Sequence, residues 1–121
     1  MQYLLLINDE EEIWESLPES ERNAMYAEYG RYTEELRSRG LLVGANQLQP
    51  ASTATTVSVR DGGTIVSDGP FAETKEVLGG YYLIDVETLD EALEWAAKIP
   101  SARYGHIEVR PIVLSPAEVS A

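Results

Sequence analysis

Side chains able to do chemistry gather in one stretch of the sequence. Asp68, Glu73, Lys75 and Glu76 lie within nine positions, and three of those charges fall in four consecutive residues. Arg110 is a further cation, set in a run that otherwise reads as a buried strand. Carboxylates at this density can act as general acid and base, which makes Asp68 and Glu73 the candidate catalytic residues. The candidate ligand-binding set is Asp68, Glu73, Lys75, Glu76 and Arg110, with the two cations able to orient an acidic group. A plainer reading stands beside this one. Asp68-Gly69-Pro70-Phe71 has the residue types of a turn, and charges on a surface loop commonly form ion pairs of little energetic weight. Phe71, the single phenylalanine, is expected to anchor the loop in the core or at a dimer seam.

Other chemistries are removed by composition. There are no cysteines, so disulfides, thiolate metal sites and cysteine nucleophiles are excluded. His106 is the only histidine; it lies outside the charged stretch and reads as a surface residue. Gly62-Gly63 and Gly79-Gly80 lack the spacing of a phosphate loop, and Asp9 to Glu12 lacks the alternating ligands and glycine of a calcium loop, so that run reads as a solvated turn. No cofactor or metal is expected. Nine basic residues against 21 acidic ones give a net charge of −12, a balance that disfavours nucleic acid and anionic membrane as partners. The first apolar run has no basic start and no small-residue cleavage site, and no run is long enough to span a bilayer, so a cytoplasmic protein is expected.

The elements that must position these residues follow from periodicity. Tyr3 to Ile7 reads as a buried strand. Met25, Tyr29, Tyr32 and Leu36 recur at helical spacing within a helix from Glu19 to Arg39, ended by Gly40 in a left-handed cap. Gly30, inside that helix, is expected to mark a close approach by another segment. Tyr26, Tyr29 and Tyr32 resemble a ligand-stacking wall but read by default as core. Leu41 to Leu48, Thr55 to Arg60 and Thr64 to Ser67 follow as strands, the last two joined by a tight turn at Asp61-Gly62-Gly63. Gly80 to Val86 is another buried strand. Thr88 opens a second helix in a capping-box pattern and Pro100 ends it. His106 to Val113 closes the domain, edged by Pro111. Residues 1–114 make one domain and 115–121 a tail. This order predicts an α+β, ferredoxin-like fold with two helices on one face of an antiparallel sheet. The other face is also apolar, and a second copy of the chain is the simplest cover for it, so a homodimer is expected.

Asp68-Gly69-Pro70-Phe71-Ala72-Glu73-Thr74-Lys75-Glu76 with Gly79-Gly80-Tyr81-Tyr82-Leu83-Ile84 resembles the signature of the DGPF branch of the YCII-related family. The likeness extends to Tyr3-Leu4-Leu5-Leu6-Ile7, to Leu89 through Ala96, and to Glu108-Val109-Arg110-Pro111-Ile112. It implies ferredoxin-like domains paired into a dimeric α+β barrel. Many members carry a histidine in the first helix and an aspartate before a proline after the second; those places are held here by Tyr29 and Ile99, so that acid–base pair is absent. Association of some DGPF members with extracytoplasmic-function sigma factors implies a regulatory setting. Three functions are therefore expected as alternatives: a regulatory homodimer binding a small polar or acidic ligand, a metal-independent lyase, isomerase or hydrolase using carboxylates, or an interaction module for a sigma factor.

Overall fold

The computed structural model of the chain describes residues 1–114. The expected tail, 115–121, lies outside the described residues. Strand β1 (Gln2–Asp9) is followed by a short helix α1 (Glu11–Ser16) and the long helix α2 (Glu19–Ser38). Strands β2 (Leu42–Gln47), β3 (Thr55–Arg60), β4 (Gly63–Asp68) and β5 (Val77–Asp85) come next, then helix α3 (Leu89–Ala97), a 3-10 turn (Pro100–Arg103) and strand β6 (His106–Pro111). The main sheet has the order β2-β5-β1-β6, all neighbours antiparallel. With one helical crossover from β1 to β2 and another from β5 to β6, this is the ferredoxin-like order. Strands β3 and β4 form a separate two-stranded ribbon.

Alternation along the central strands creates the core. Tyr3, Leu5 and Ile7 of β1 and Tyr82 and Ile84 of β5 are buried on one face, together with Val86 just beyond the strand. Helices α2 and α3 cover that face with Tyr32, Leu36, Ala92, Trp95 and Ala96. The Tyr32 and Tyr82 rings meet edge to face at 5.0 Å, and the Tyr32 hydroxyl donates to the Trp95 carbonyl at 2.9 Å. A buried phenol so satisfied adds packing area without an orphaned polar atom.

Local signals act where the sequence places them. Gly40 has φ of 72° and ends α2. Thr88 accepts from the Glu91 amide at 3.2 Å and caps α3. The β3–β4 turn sets Asp61 and Gly62 at positive φ, 51° and 76°, as a type I′ hairpin demands.

Four expectations need correction. Asp9 to Glu12 is not a turn: Asp9 ends β1, and Glu11 and Glu12 begin α1, so the described residues hold three helices where two were expected. The acidic first turn of α1 suits the positive end of a helix. Gly30 meets no other segment, since a Cβ built there finds nothing within 4 Å. Phe71 does not enter the core and is 92% exposed. The last strand stops at Pro111, short of Val113.

Candidate functional site

On the helical side of the sheet a cleft of about 720 Å³ opens between β1, β5, α1 and α2. That volume lies within the range of roughly 300–1,000 Å³ usual for small-molecule sites. Its walls are aromatic, with Trp14, Tyr26, Tyr29 and Tyr82 among them, and Asp9 and Ser101 bring polar groups to it. Each arrives for a local reason. Tyr3, Leu5, Ile7 and Asp9 share one face of β1, so Asp9 continues the buried row to the cleft. Ser101 sits in the 3-10 turn started by Pro100, and both residues are buried. Arg103, two residues further on, grips Glu28 of α2 through two hydrogen bonds of 2.7 and 3.0 Å. This fork ties the turn carrying Ser101 to the helix carrying Tyr29. The Tyr29 and Ser101 hydroxyls then lie 2.6 Å apart.

Space above Asp9 comes from a bulge in β5. The β1–β5 register passes from Ile7 opposite Gly80 to Asn8 opposite Leu78, leaving Gly79 unpaired. A Cβ at Gly79 would come 3.5 Å from Asp9 Oδ1, so any larger side chain there would fill the approach to the carboxyl.

Asp9 is the perturbed carboxyl of the cleft. Its pKa is raised above the ordinary 3.8, first because burial disfavours the charged form, while the neighbouring Ser101 hydroxyl pulls the other way and the Glu76 and Glu11 charges add to the rise. Burial likewise pushes the Tyr29 phenol up, so it stays protonated as a hydrogen-bond donor. Among the described residues no three His, Cys, Asp or Glu side chains are grouped as ligands for a metal ion.

The residues singled out from sequence lie elsewhere, and the structure does not bring them together. Asp68 ends β4 opposite Thr55 on the ribbon and is exposed. Gly69, at φ of 94°, turns the chain; its amide donates to the Ala54 carbonyl at 2.7 Å, and the Thr56 hydroxyl donates to its own carbonyl at 2.8 Å. Glu73 is exposed. Lys75 is exposed and pairs with Glu10 at 3.6 Å. Arg110 is paired across β6 with Glu108, opposite Leu4 of β1, and remote in register from the ribbon. Glu76 lines a smaller depression of about 420 Å³, bordered also by Pro70, Ala72 and Thr74.

Glu76 is joined by His106, whose Nδ1 lies 2.8 Å from its carboxylate. That hydrogen bond, with the carboxylate's charge, raises the His106 pKa above 6.5. Glu76→Gln is expected to return the His106 titration, followed by the NMR shift of its ring protons, toward the ordinary value; an unchanged midpoint would show that the pair does not form in solution.

Sequence reading passed over Asp9, Ser101 and the cleft face of Tyr29. One signal was available for Asp9: it keeps the parity of Tyr3, Leu5 and Ile7, a carboxylate on the buried row of a strand. For Ser101 no local signal exists, because its partner is 72 positions away in the chain.

Fold and site together define a ferredoxin-like α+β domain with an aromatic, carboxyl-bearing cleft on its helical face. The chain belongs to the YCII-related family, whose domain model matches residues 1–115. It is 37% identical over 116 residues to an uncharacterised protein of Rhizobium meliloti strain 1021, covering 94% of each chain. Among solved structures it is similar in fold to 5-chloro-2-hydroxyhydroquinone dehydrochlorinase from Burkholderia phenoliruptrix AC1100, in complex with 2,5-dihydroxybenzoquinone. That likeness covers 98% of this chain and 99% of the other, with a TM-score of 0.51 and 16% identity. No helix among the described residues is long and apolar enough to cross a membrane.

Proposed function

We propose that the chain binds a small ring-bearing molecule in the Asp9 cleft and transfers a proton to or from it, as in an isomerase or lyase step. The observation that carries this is a desolvated carboxyl, Asp9, sharing one ligand-sized cleft with the Tyr29–Ser101 hydroxyl pair. In such a step the Asp9 carboxylate takes a proton from a carbon beside a carbonyl. Tyr29 hydrogen-bonds the carbonyl oxygen as it gains negative charge, and Asp9 returns the proton. A raised pKa makes Asp9 the stronger base, and hydroxyls already held in place stabilise the developing charge without reorganisation. The structural neighbour was crystallised with a hydroxylated six-membered ring, a size that a cleft of this volume accommodates. The Asp68-Gly69-Pro70-Phe71 sequence supports placing the chain in the DGPF branch of the family, with the loop acting as a framing turn rather than as the site.

Deuterium uptake by 2-tetralone in heavy water, followed by proton NMR, tests the reading. The chain is expected to speed exchange at the carbons beside the carbonyl, and Asp9→Asn to abolish the acceleration. Equal rates for the two proteins would remove Asp9 from the role.

We also infer a homodimer formed through the face of the sheet away from the helices. Its support is an apolar patch on that face: Leu83 and Leu4 stand side by side on β5 and β1, Tyr81 and Leu6 form the next pair, and the ion-paired Arg110 and Glu108 of β6 flank them. Light scattering coupled to size exclusion is expected to give twice the chain mass, and Leu4→Glu to give a monomer. A monomeric parent protein would refute this assembly.

A further inference from the structure

We propose that the molecule held in the Asp9 cleft carries a positive charge, an alkylammonium or quaternary ammonium group attached to a ring or short chain. This rests on the reading of the cleft as a ligand site and adds the charge of its occupant.

Three carboxylates line the cleft, Asp9 from β1 and Glu11 and Glu15 from α1, and no Lys, Arg or His side chain lines it. None of the three belongs to an ion pair among the described residues, where the paired carboxylates are those of other positions. Glu11 is held in place by accepting the Ala51 amide at 2.6 Å, a neutral donor that fixes the carboxylate without cancelling its charge. An anion entering here meets uncompensated like charge in a partly desolvated space, where salt screens less than at the open surface. A neutral molecule leaves that charge unused.

The walls supply the second half of the argument. Trp14 and Tyr26 are locked edge to face at 5.0 Å, and Tyr29 and Tyr82 complete the aromatic lining. Ring faces attract cations, most strongly where water is excluded, and alkylammonium groups are recognised by carboxylates and aromatic rings in combination. An acidic ligand, expected from Lys75 and Arg110, finds neither cation in this cleft. The chain's net charge of −12 also favours the approach of a cation over that of an anion.

Benzylamine, benzyl alcohol and benzoate, matched in ring and size, separate the cases when titrated into the full chain and read by amide shifts of cleft residues. Benzylamine is expected to bind about tenfold tighter than benzyl alcohol, with benzoate the weakest. The preference should shrink as salt is added. Combined Glu11→Gln and Glu15→Gln should remove most of it, whereas Glu94→Gln on exposed α3 should leave it unchanged. Equal affinity for amine and alcohol, tighter binding of benzoate, or a preference indifferent to the glutamine pair would overturn the charge inference while the cleft reading stands. No shift at the cleft with any of the three would overturn both.

Discussion

Gly105→Ala is expected to lower stability by about 3 kcal/mol and the melting temperature by roughly 10 °C or more, with loss of proton transfer in the cleft. Gly105 lies between the 3-10 turn and β6, and its amide donates to the Ser101 carbonyl at 2.8 Å. A Cβ built on it would stand 2.2 Å from the Asn8 carbonyl oxygen, 2.8 Å from Asp9 Cβ and 2.9 Å from Asp9 Cα. Two of these obstacles are backbone atoms of β1 and the third, Asp9 Cβ, is fixed directly to that backbone, so no flexible side-chain end can swing away. Either the turn lifts, carrying Ser101 from Tyr29, or the end of β1 shifts, carrying Asp9. Both routes spoil the same site. At an unobstructed position the same change stabilises by roughly 0.4–1 kcal/mol through the unfolded chain, so even the sign of the effect is informative. Urea unfolding measures it, and a variant as stable as its parent would mean that the turn does not pack this tightly on β1.

Asp9→Asn is expected to abolish proton transfer and at the same time to raise the melting temperature at neutral pH. The folded-state pKa of Asp9 lies above 3.8, chiefly through burial, so the native state holds this proton more tightly than the unfolded chain. Stability from this group is therefore greatest at acid pH and declines as pH rises from about 3.8 through the folded pKa, then levels off. Asparagine carries no charge to desolvate. The variant's advantage should thus open across that window and vanish below it. Melting curves of both proteins over a pH series check this, and a variant less stable at neutral pH would show that the ionised carboxylate is held by favourable contacts. A residue that costs stability where it sits is a common mark of a functional site.

Much of the fold was legible in the sequence because it rests on local rules. The alternation of Tyr3, Leu5 and Ile7, the Thr88 cap and the Gly40 terminus are each set by a few neighbouring residues. Helix α1 was missed because its six residues are too few for periodicity to register, and its acidic start reads equally well as a turn. Gly30, and the core position expected for Phe71, misled for the opposite reason: glycine implies crowding and a lone phenylalanine implies burial only on average, and within the chain neighbouring segments do not come near these positions.

The charged run after Asp68 drew attention because its residues are adjacent in sequence, and adjacency on a turn does not make groups converge. Lys75 went to Glu10 and Arg110 to Glu108. The sequence by itself determined the order of the strands and of the two longer helices, the antiparallel sheet, the absence of thiol chemistry and the strongly acidic balance, all of which depend on composition or short-range spacing. Only the tertiary structure decided that Asp9, Tyr29 and Ser101 meet. They come from a strand, a helix and a turn far apart in the chain, and the sheet order, the Gly79 bulge and the close packing of Gly105 on β1 bring them to one cleft.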